Sequence, residues 1–391
     1  MAPSSAPRPP LEGLKILDLS RLLPGPYASL VLADLGATVV KVEDPQGGDY
    51  LRHMPPHLGD EGAMFLALNR DKKSIVLDLK SPQGAAALRR LARVFDVLIE
   101  GFRPGVMERL GLSYEALRAE NPGLVYCSLS GYGQTGPDRL RAGHDLNYVA
   151  RAGVLGLSGE SGETPAMPGA QLGDVGGALF ALVGLLAAVI GQRGGGGGRG
   201  VDISMTESAM AFLHMPLAAR LLLGSQGAPL RRGLEPLNGG YPHYRVYRTL
   251  DGRFLSVGSL EPKFLSGLLA KLGRPELAAL AYDAVGALAV RRELEARFAA
   301  HTRDYWVELF RGEDLCVEPV LEGDELVADA QHQARGVFPR GPDGRVGLRT
   351  PVAVGELPLA PAPRLGAHTR EVLTAAGFSE DEMQRLGVSG R

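Results

Sequence analysis

The stretch from Lys15 to Glu43, KILDLSRLLPGPYASLVLADLGATVVKVE, decides the fold. KILDL at Lys15 to Leu19 reads as a short apolar strand, and Pro24-Gly25-Pro26 turns the chain. Tyr27 to Leu35 is helical, and TVVKVE at Thr38 to Glu43 is a second strand. The alternation continues with strands at Ser74 to Leu79, Val97 to Glu100 and Leu124 to Ser128, and an amphipathic helix from Pro82 to Phe95. Strands that alternate with helices in this way predict a parallel sheet flanked by helices. Glu43 closes the second strand where a nicotinamide-binding fold keeps an acidic residue. The first turn, LLPGPYA, lacks the Gly-x-Gly-x-x-Gly pattern that would bring backbone against a pyrophosphate, so that reading is set aside.

With 391 residues the chain has room for two domains and a large core. Its 42 basic and 44 acidic side chains nearly cancel, so a general affinity for nucleic acid is not expected. Two cysteines, Cys127 and Cys316, form no disulfide framework and no paired metal-ligand motif, and Cys127 falls in a buried strand. MAPSSAPRPP, residues 1–10, reads as a disordered tail rather than a signal peptide. Val175 to Gly191 is apolar and uncharged but rich in small residues and slightly short for a bilayer. A buried helix is expected there, so no membrane is expected as a partner and a cytoplasmic protein is. Gly194 to Gly198 has no following Lys-Ser or Lys-Thr pair to make it a phosphate loop; it reads as a flexible connector before a strand at Val201 to Ser204.

Beyond Gly233 the character changes. Gly239 to Ser259 reads as a hairpin turning at Asp251-Gly252, followed by helices at Pro262 to Ala270, Arg291 to Thr302 and Arg303 to Phe310. These residues predict a smaller α+β domain. The expected organisation is a large α/β domain over 11–225, a small domain over 226–335 and a C-terminal segment over 336–391, with a helix pair between Gly366 and Leu386.

His144, in AGHDLNY, and Asp174, in LGDVGG, are an imidazole and a carboxylate in glycine-marked turns. Two such bases are what moving a proton across one carbon requires, one removing it and the other returning it from the opposite face. Each has a plainer reading. Asp174 is expected as the N-cap of the helix near Val175, and capping alone would account for it. A lone histidine is commonly a satisfied, half-buried side chain. If the pair is functional, the helix start supplies unpaired N–H groups for a developing oxyanion, the Asp174 amide among them, and Gly176 and Gly177 admit a substrate close to the backbone. Asp145, whose side chain should diverge from its neighbour's, is expected to hold the local loop.

SGYGQTGP (Ser130 to Pro137), AGHDLNY (Ala142 to Tyr148) and LGDVGG (Leu172 to Gly177) together resemble the class III, or CaiB/BaiF, family of CoA-transferases and 2-methylacyl-CoA racemases. The resemblance runs from LEGLKILDLS near the start to EDLCVEPVLEGDEL at Glu313 to Leu326 and the final helices. It implies a Rossmann-like large domain, a smaller α+β domain, and a homodimer of interlocked, ring-linked chains whose tails return to the large domain. It implies an acyl-CoA thioester as substrate, with no metal and no cofactor beyond CoA itself. By the same resemblance Asp174 is catalytic, His144 is the second base and Glu261, in SLEPKF, orients that histidine. On their residues alone, Glu261 beside Pro262 is a helix start, and Tyr241 and Tyr244 line the acyl pocket or pack the hairpin. LNRDKKS, with Arg70, Lys72 and Lys73, and EGFRPGVMERLGL, with Arg103, match the family's CoA-contacting loops, although such clusters are ordinarily solvated turns. Asp44 stands where racemases often carry an arginine. AGHDLNY and SLEP resemble the racemases, whereas the insert between Glu43 and Leu68 and FLALNRDKKS resemble the transferases. The leading expectation is a racemase or epimerase working through an enolate. The alternative is a CoA-transferase that carries CoA as a thioester on Asp174, with His144 incidental.

Overall fold

The computed structural model describes residues 8–341, 344–352 and 359–388. Most of the expected tail at 1–10 therefore lies outside the described residues. By its contacts the chain divides into two units. One holds the chain up to Ala152, Ala170–Ala211 and Gln331 onward; the other holds Gly153–Gly169 and Phe212–Ala330. Residues 153–169 and 212–225, read from the sequence as part of the large domain, thus belong with the second unit.

The first unit is built on a parallel sheet. In chain order its elements are β1 Lys15–Asp18, α1 Pro24–Asp34, β2 Thr38–Glu43, β3 Lys73–Val76, α2 Pro82–Ala92, β4 Val97–Glu100, α3 Tyr114–Glu120, β5 Val125–Ser130, α4 Asp145–Arg151, α5 Leu172–Gly191, β6 Gly200–Ser204 and α6 Met205–Ala211. The strand order is β3-β2-β1-β4-β5-β6, every neighbour parallel, with Leu17 beside Val40 on one side and Leu98 on the other. Both faces are covered, which is why the strands read as continuous apolar runs. Leu17, Val40, Ile75 and Leu98 join the core on the α2 face, and Ile16, Val39, Val97 and Ile99 join the core under α1 and α5. Cys127 is buried on the second of these faces. The helix after β1 opens at Pro24 rather than Tyr27, because a proline's fixed φ suits the first helical turn and its missing N–H costs nothing there.

Helix α5 is long and apolar enough to cross a membrane, yet it lies on the sheet with Ala178, Ala181, Leu185 and Val189 buried and Val183 and Ile190 exposed. The glycine run beyond it is not the simple connector expected. Gln192–Gly196 winds on as a wide helical turn, which breaks where Gly195 takes a φ of 89°.

The second unit contains α7 His214–Leu223, the hairpin β7 Tyr244–Arg248 and β8 Phe254–Gly258, α8 Pro262–Lys271, α9 Ala284–Phe298, α10 Arg303–Leu309 and β9 Val317–Pro319. The three strands are antiparallel, and Tyr247, Leu255, Leu268, Phe298 and Trp306 share their core. Helix α9 begins well before Arg291 because the Asp283 carboxylate caps it, accepting from Gly286 N at 2.7 Å. It ends before Thr302, whose hydroxyl caps α10 instead.

The tail helices, α11 Thr369–Ala375 and α12 Glu380–Arg385, pack on the first unit. Gly366 N donates to Ser74 Oγ at 2.9 Å, His368 N to Ser74 O at 2.9 Å, and Val76 N to Thr369 Oγ1 at 3.1 Å. These bonds occupy the outer edge of β3, which would otherwise stand open to another strand.

Candidate active site

The chain runs outward from β1 through β2 to β3, then returns to the far side of β1 as β4. At such a reversal the loops beyond β1 and β4 part, leaving a crevice at the carboxyl ends of the strands. A cavity of about 210 Å³ lies there, walled by the Ser20–Gly25 turn, by Gly101–Pro104 beyond β4 and by Leu129–Gly131 at the end of β5. His144, Tyr148 and Asp174 all open into it.

The turn after β1 is held by buried charge. Asp18 accepts from Ser20 N at 2.9 Å, Lys41 Nζ donates to Ser20 O at 2.8 Å and Asp49 accepts from Leu22 N at 3.2 Å. Lys41 and Asp49 pair at 2.9 Å with almost no exposure. Leu22 is thereby kept at a φ of 62°, a left-handed conformation that leucine rarely adopts.

His144 stands immediately before α4 and is exposed, and its N–H donates to Asn147 Oδ1 at 3.0 Å. Asp174 is partly buried, and burial first, with the charge of Asp145 second, pushes its carboxyl up to about 7. Between the two bases lies Asp145. Its Oδ1 accepts from Gly173 N at 2.7 Å and Asp174 N at 3.0 Å, so one carboxylate from the first turn of α4 caps α5. A Cβ at Gly173 would sit 3.1 Å from that oxygen, so a glycine keeps the approach open. Tyr148 braces the floor, donating to Gly143 O at 2.5 Å with its ring edge on Tyr132.

Several expectations are corrected by these contacts. Asp174 is not the N-cap of α5 but its third residue, and Gln171 stands at the cap. The Asp174 amide is already taken by Asp145 and is not free for an oxyanion. Gly176 and Gly177 are buried within α5, and Gly177 meets Met205 of α6, where an added Cβ would lie 2.9 Å from Cγ. They serve helix packing rather than substrate approach.

The basic cluster turns inward. Arg70 grips Asp34 through both terminal nitrogens, and Thr350 donates to the same carboxylate at 2.6 Å. Lys72 is fully buried, donating to Pro26 O and Asn69 Oδ1 at 2.9 Å, and burial pushes its ammonium down to about 7 against the pull of Asp18. Lys73 pairs with Glu371 of α11 at 2.5 Å. None of the three faces the cavity of His144 and Asp174 or its neighbour. Glu43 is likewise structural, holding Arg52 at 2.7 and 2.8 Å.

Arg103 does face the cavity, exposed and unpaired among the described residues. Its loop is fixed by Glu100, which accepts from Phe102 N at 2.8 Å. Arg21, Arg139 and Arg141 line the same cavity and carry no motif in the sequence, where each falls in a loop. A larger neighbouring cavity, about 590 Å³, adjoins at Arg21 and Phe102 and is lined by Asp44, Tyr50, Lys80 and Arg109.

The remaining predicted residues lie in the second unit. Glu261 is exposed at the N-cap of α8, where its carboxylate makes no capping bond. Tyr241 stacks on His243 at 5.0 Å and meets Tyr282 edge-on, while Tyr244 opens β7.

A family model described as CoA-transferase family III matches residues 11–369. The human alpha-methylacyl-CoA racemase is 39% identical over 386 residues, with 96% of each chain covered. The succinate–glutarate CoA-transferase of Agrobacterium fabrum is 34% identical, covering 94% of this chain and 95% of that one. Among solved structures, a CAIB/BAIF family protein from Brucella suis superimposes with a TM-score of 0.82 at 31% identity, covering 94% of this chain and 99% of the other.

Proposed function

We propose that this chain, which belongs to CoA-transferase family III, interconverts the epimers of 2-methylacyl-CoA thioesters. The observation that carries this reading is the pair of bases, His144 and Asp174, opening into one cavity and tied together through Asp145. One base takes the α-proton and the electron pair moves into the thioester carbonyl as an enolate. The other base, in its acid form, returns a proton to the opposite face. Asp174, with a carboxyl near 7, exists in both forms at neutral pH, which a residue alternating between acid and base requires.

Because the α-proton is far less acidic than either conjugate acid, the enolate needs the greater part of the stabilisation. The guanidinium groups of Arg103, Arg139 and Arg141 add positive potential to the same cavity. Greater likeness to a racemase, 39% against 34% for a transferase, also supports the assignment.

A transferase reading draws on the same carboxylate. Asp174 attacking a thioester would form a mixed anhydride and then an aspartyl-CoA thioester, with no work for His144. Incubating a single-epimer 2-methylacyl-CoA in heavy water without an acceptor acid separates the two. Deuterium at the α-carbon with loss of configuration, abolished by His144→Ala and by Asp174→Ala, is the expected result. CoA transfer on adding a free acid, with no exchange before it, would replace this reading with the transferase.

A further inference from the structure

Arg21 is the one residue besides Phe102 that walls both cavities of the first unit described above. Its guanidinium lies over two aromatic rings, 5.3 Å from the Tyr50 centroid and 5.4 Å from that of Phe102, and Nη1 donates to the Tyr50 hydroxyl at 3.2 Å. Four other cations of the first unit are spent on carboxylates: Lys41 on Asp49, Lys72 on Asp18, Arg52 on Glu43 and Arg70 on Asp34. Arg21 has no carboxylate partner among the described residues. Its position is nevertheless fixed from both sides, since buried charges hold the backbone of Ser20 and Leu22, and Glu100 holds the backbone of Phe102 beneath it. A guanidinium fixed in place, stacked on neutral rings and left with free donors is built to receive an anion.

The anion follows from the path. A CoA thioester whose acyl carbon sits between His144 and Asp174 has its nucleotide end beyond the pantetheine arm. The larger cavity, at the carboxyl ends of β2 and β3, is the adjoining space for that nucleotide. The boundary between the two cavities is Arg21, and the charged group that joins nucleotide to arm is a diphosphate. The position directly after β2 supplies no cation, because Asp44 stands there facing the larger cavity, with Lys80 4.0 Å away. We infer that Arg21, stacked on Tyr50 and Phe102, seats the diphosphate of the CoA thioester, the cation being delivered from the turn after β1 instead of the position directly after β2. This assignment rests on the family reading of the substrate as a CoA thioester and not on the choice between racemase and transferase.

Calorimetric titration of the full chain tests it without turnover. Arg21→Gln should weaken CoA binding roughly 10- to 100-fold, the range for losing a charge-assisted contact. Dephospho-CoA, which keeps the diphosphate but lacks the 3′-phosphate, should lose as much, and pantetheine should bind both forms of the protein equally. Unchanged CoA affinity overturns the proposal, as does an equal loss for pantetheine, which would mean a disturbed turn. A loss confined to CoA and absent with dephospho-CoA moves the contact to the 3′-phosphate and overturns the diphosphate assignment. If the unsubstituted chain binds no CoA at all, the substrate reading falls with it.

Discussion

Replacing Asp145 by asparagine should move the working pH of Asp174 while leaving its position alone. The amide keeps an oxygen where Oδ1 now accepts from Gly173 N and Asp174 N, so the cap on α5 survives and only a charge is lost. Two unit charges as close as 4 Å at an effective dielectric near 20 would repel by about 4 kcal/mol, equivalent to about three pH units. That is a ceiling. Burial is the larger of the two causes that lift the Asp174 carboxyl to about 7, so the charge accounts for less than half of the rise. A displacement of about one pH unit downward is expected. The assay is α-deuterium incorporation as a function of pH, for the epimer whose exchange Asp174→Asn abolishes. With the base titrating near 7, about a tenth of the limiting rate remains at pH 6; with the variant, about half should remain. An acid limb that stays at its original pH, or rises, would refute the electrostatic coupling between these two carboxylates.

Asp174→Asn should abolish exchange yet stabilise the first unit. The carboxyl is raised in the folded state, so its ionisation opposes folding progressively between about pH 4 and pH 7 and not below. The gain should approach 4 kcal/mol as an upper limit at pH 8 and vanish near pH 4, read from urea midpoints; equal gains at both would contradict it. Arg70→Met should leave CoA affinity unchanged but cost about 3–5 kcal/mol of stability by stranding Asp34, and a selective loss of CoA binding would restore Arg70 as a ligand. His243 is fully buried with neither ring nitrogen partnered among the described residues, and burial lowers its pKa. His243→Phe should therefore be neutral or stabilising by about 1 kcal/mol at pH 8, with the advantage growing as pH falls below about 6.5, where the unfolded imidazole takes up a proton and the buried one resists. Destabilisation at pH 5 would show that the imidazole has a partner in solution.

What could be read from the sequence was local. The runs TVVKVE and VLIE, rich in Val, Leu and Ile and buried on both faces, form the two strands that flank β1. The fold class and the pairing of His144 with Asp174 in one site follow from such runs and from motif resemblance. What escaped was set by partners distant in the chain. Asp174 reads as the cap of its own helix because no nearer cap is written there; the cap comes from Asp145, 28 residues before Gly173. Arg70 and Lys72 look like solvent-facing cations until Asp34 and Asp18 are brought beside them by the β1–α1 fold. Arg21 carries no local mark at all, because Tyr50 and Phe102 come from loops after other strands.

The binding of the tail along β3 also sets an order of assembly during synthesis. The first unit begins with the strands around β1 but is closed by Gly366 to Val388, and Gly366 follows Ser74 by 292 residues. Until they emerge, Ser74 and Val76 present an unpaired strand edge, the kind of surface through which incomplete chains join one another. The second unit, nearly all of it encoded between Phe212 and Ala330, can close earlier. A chain cut before α11 should therefore be lost to aggregation or proteolysis although every residue of the cavity is present.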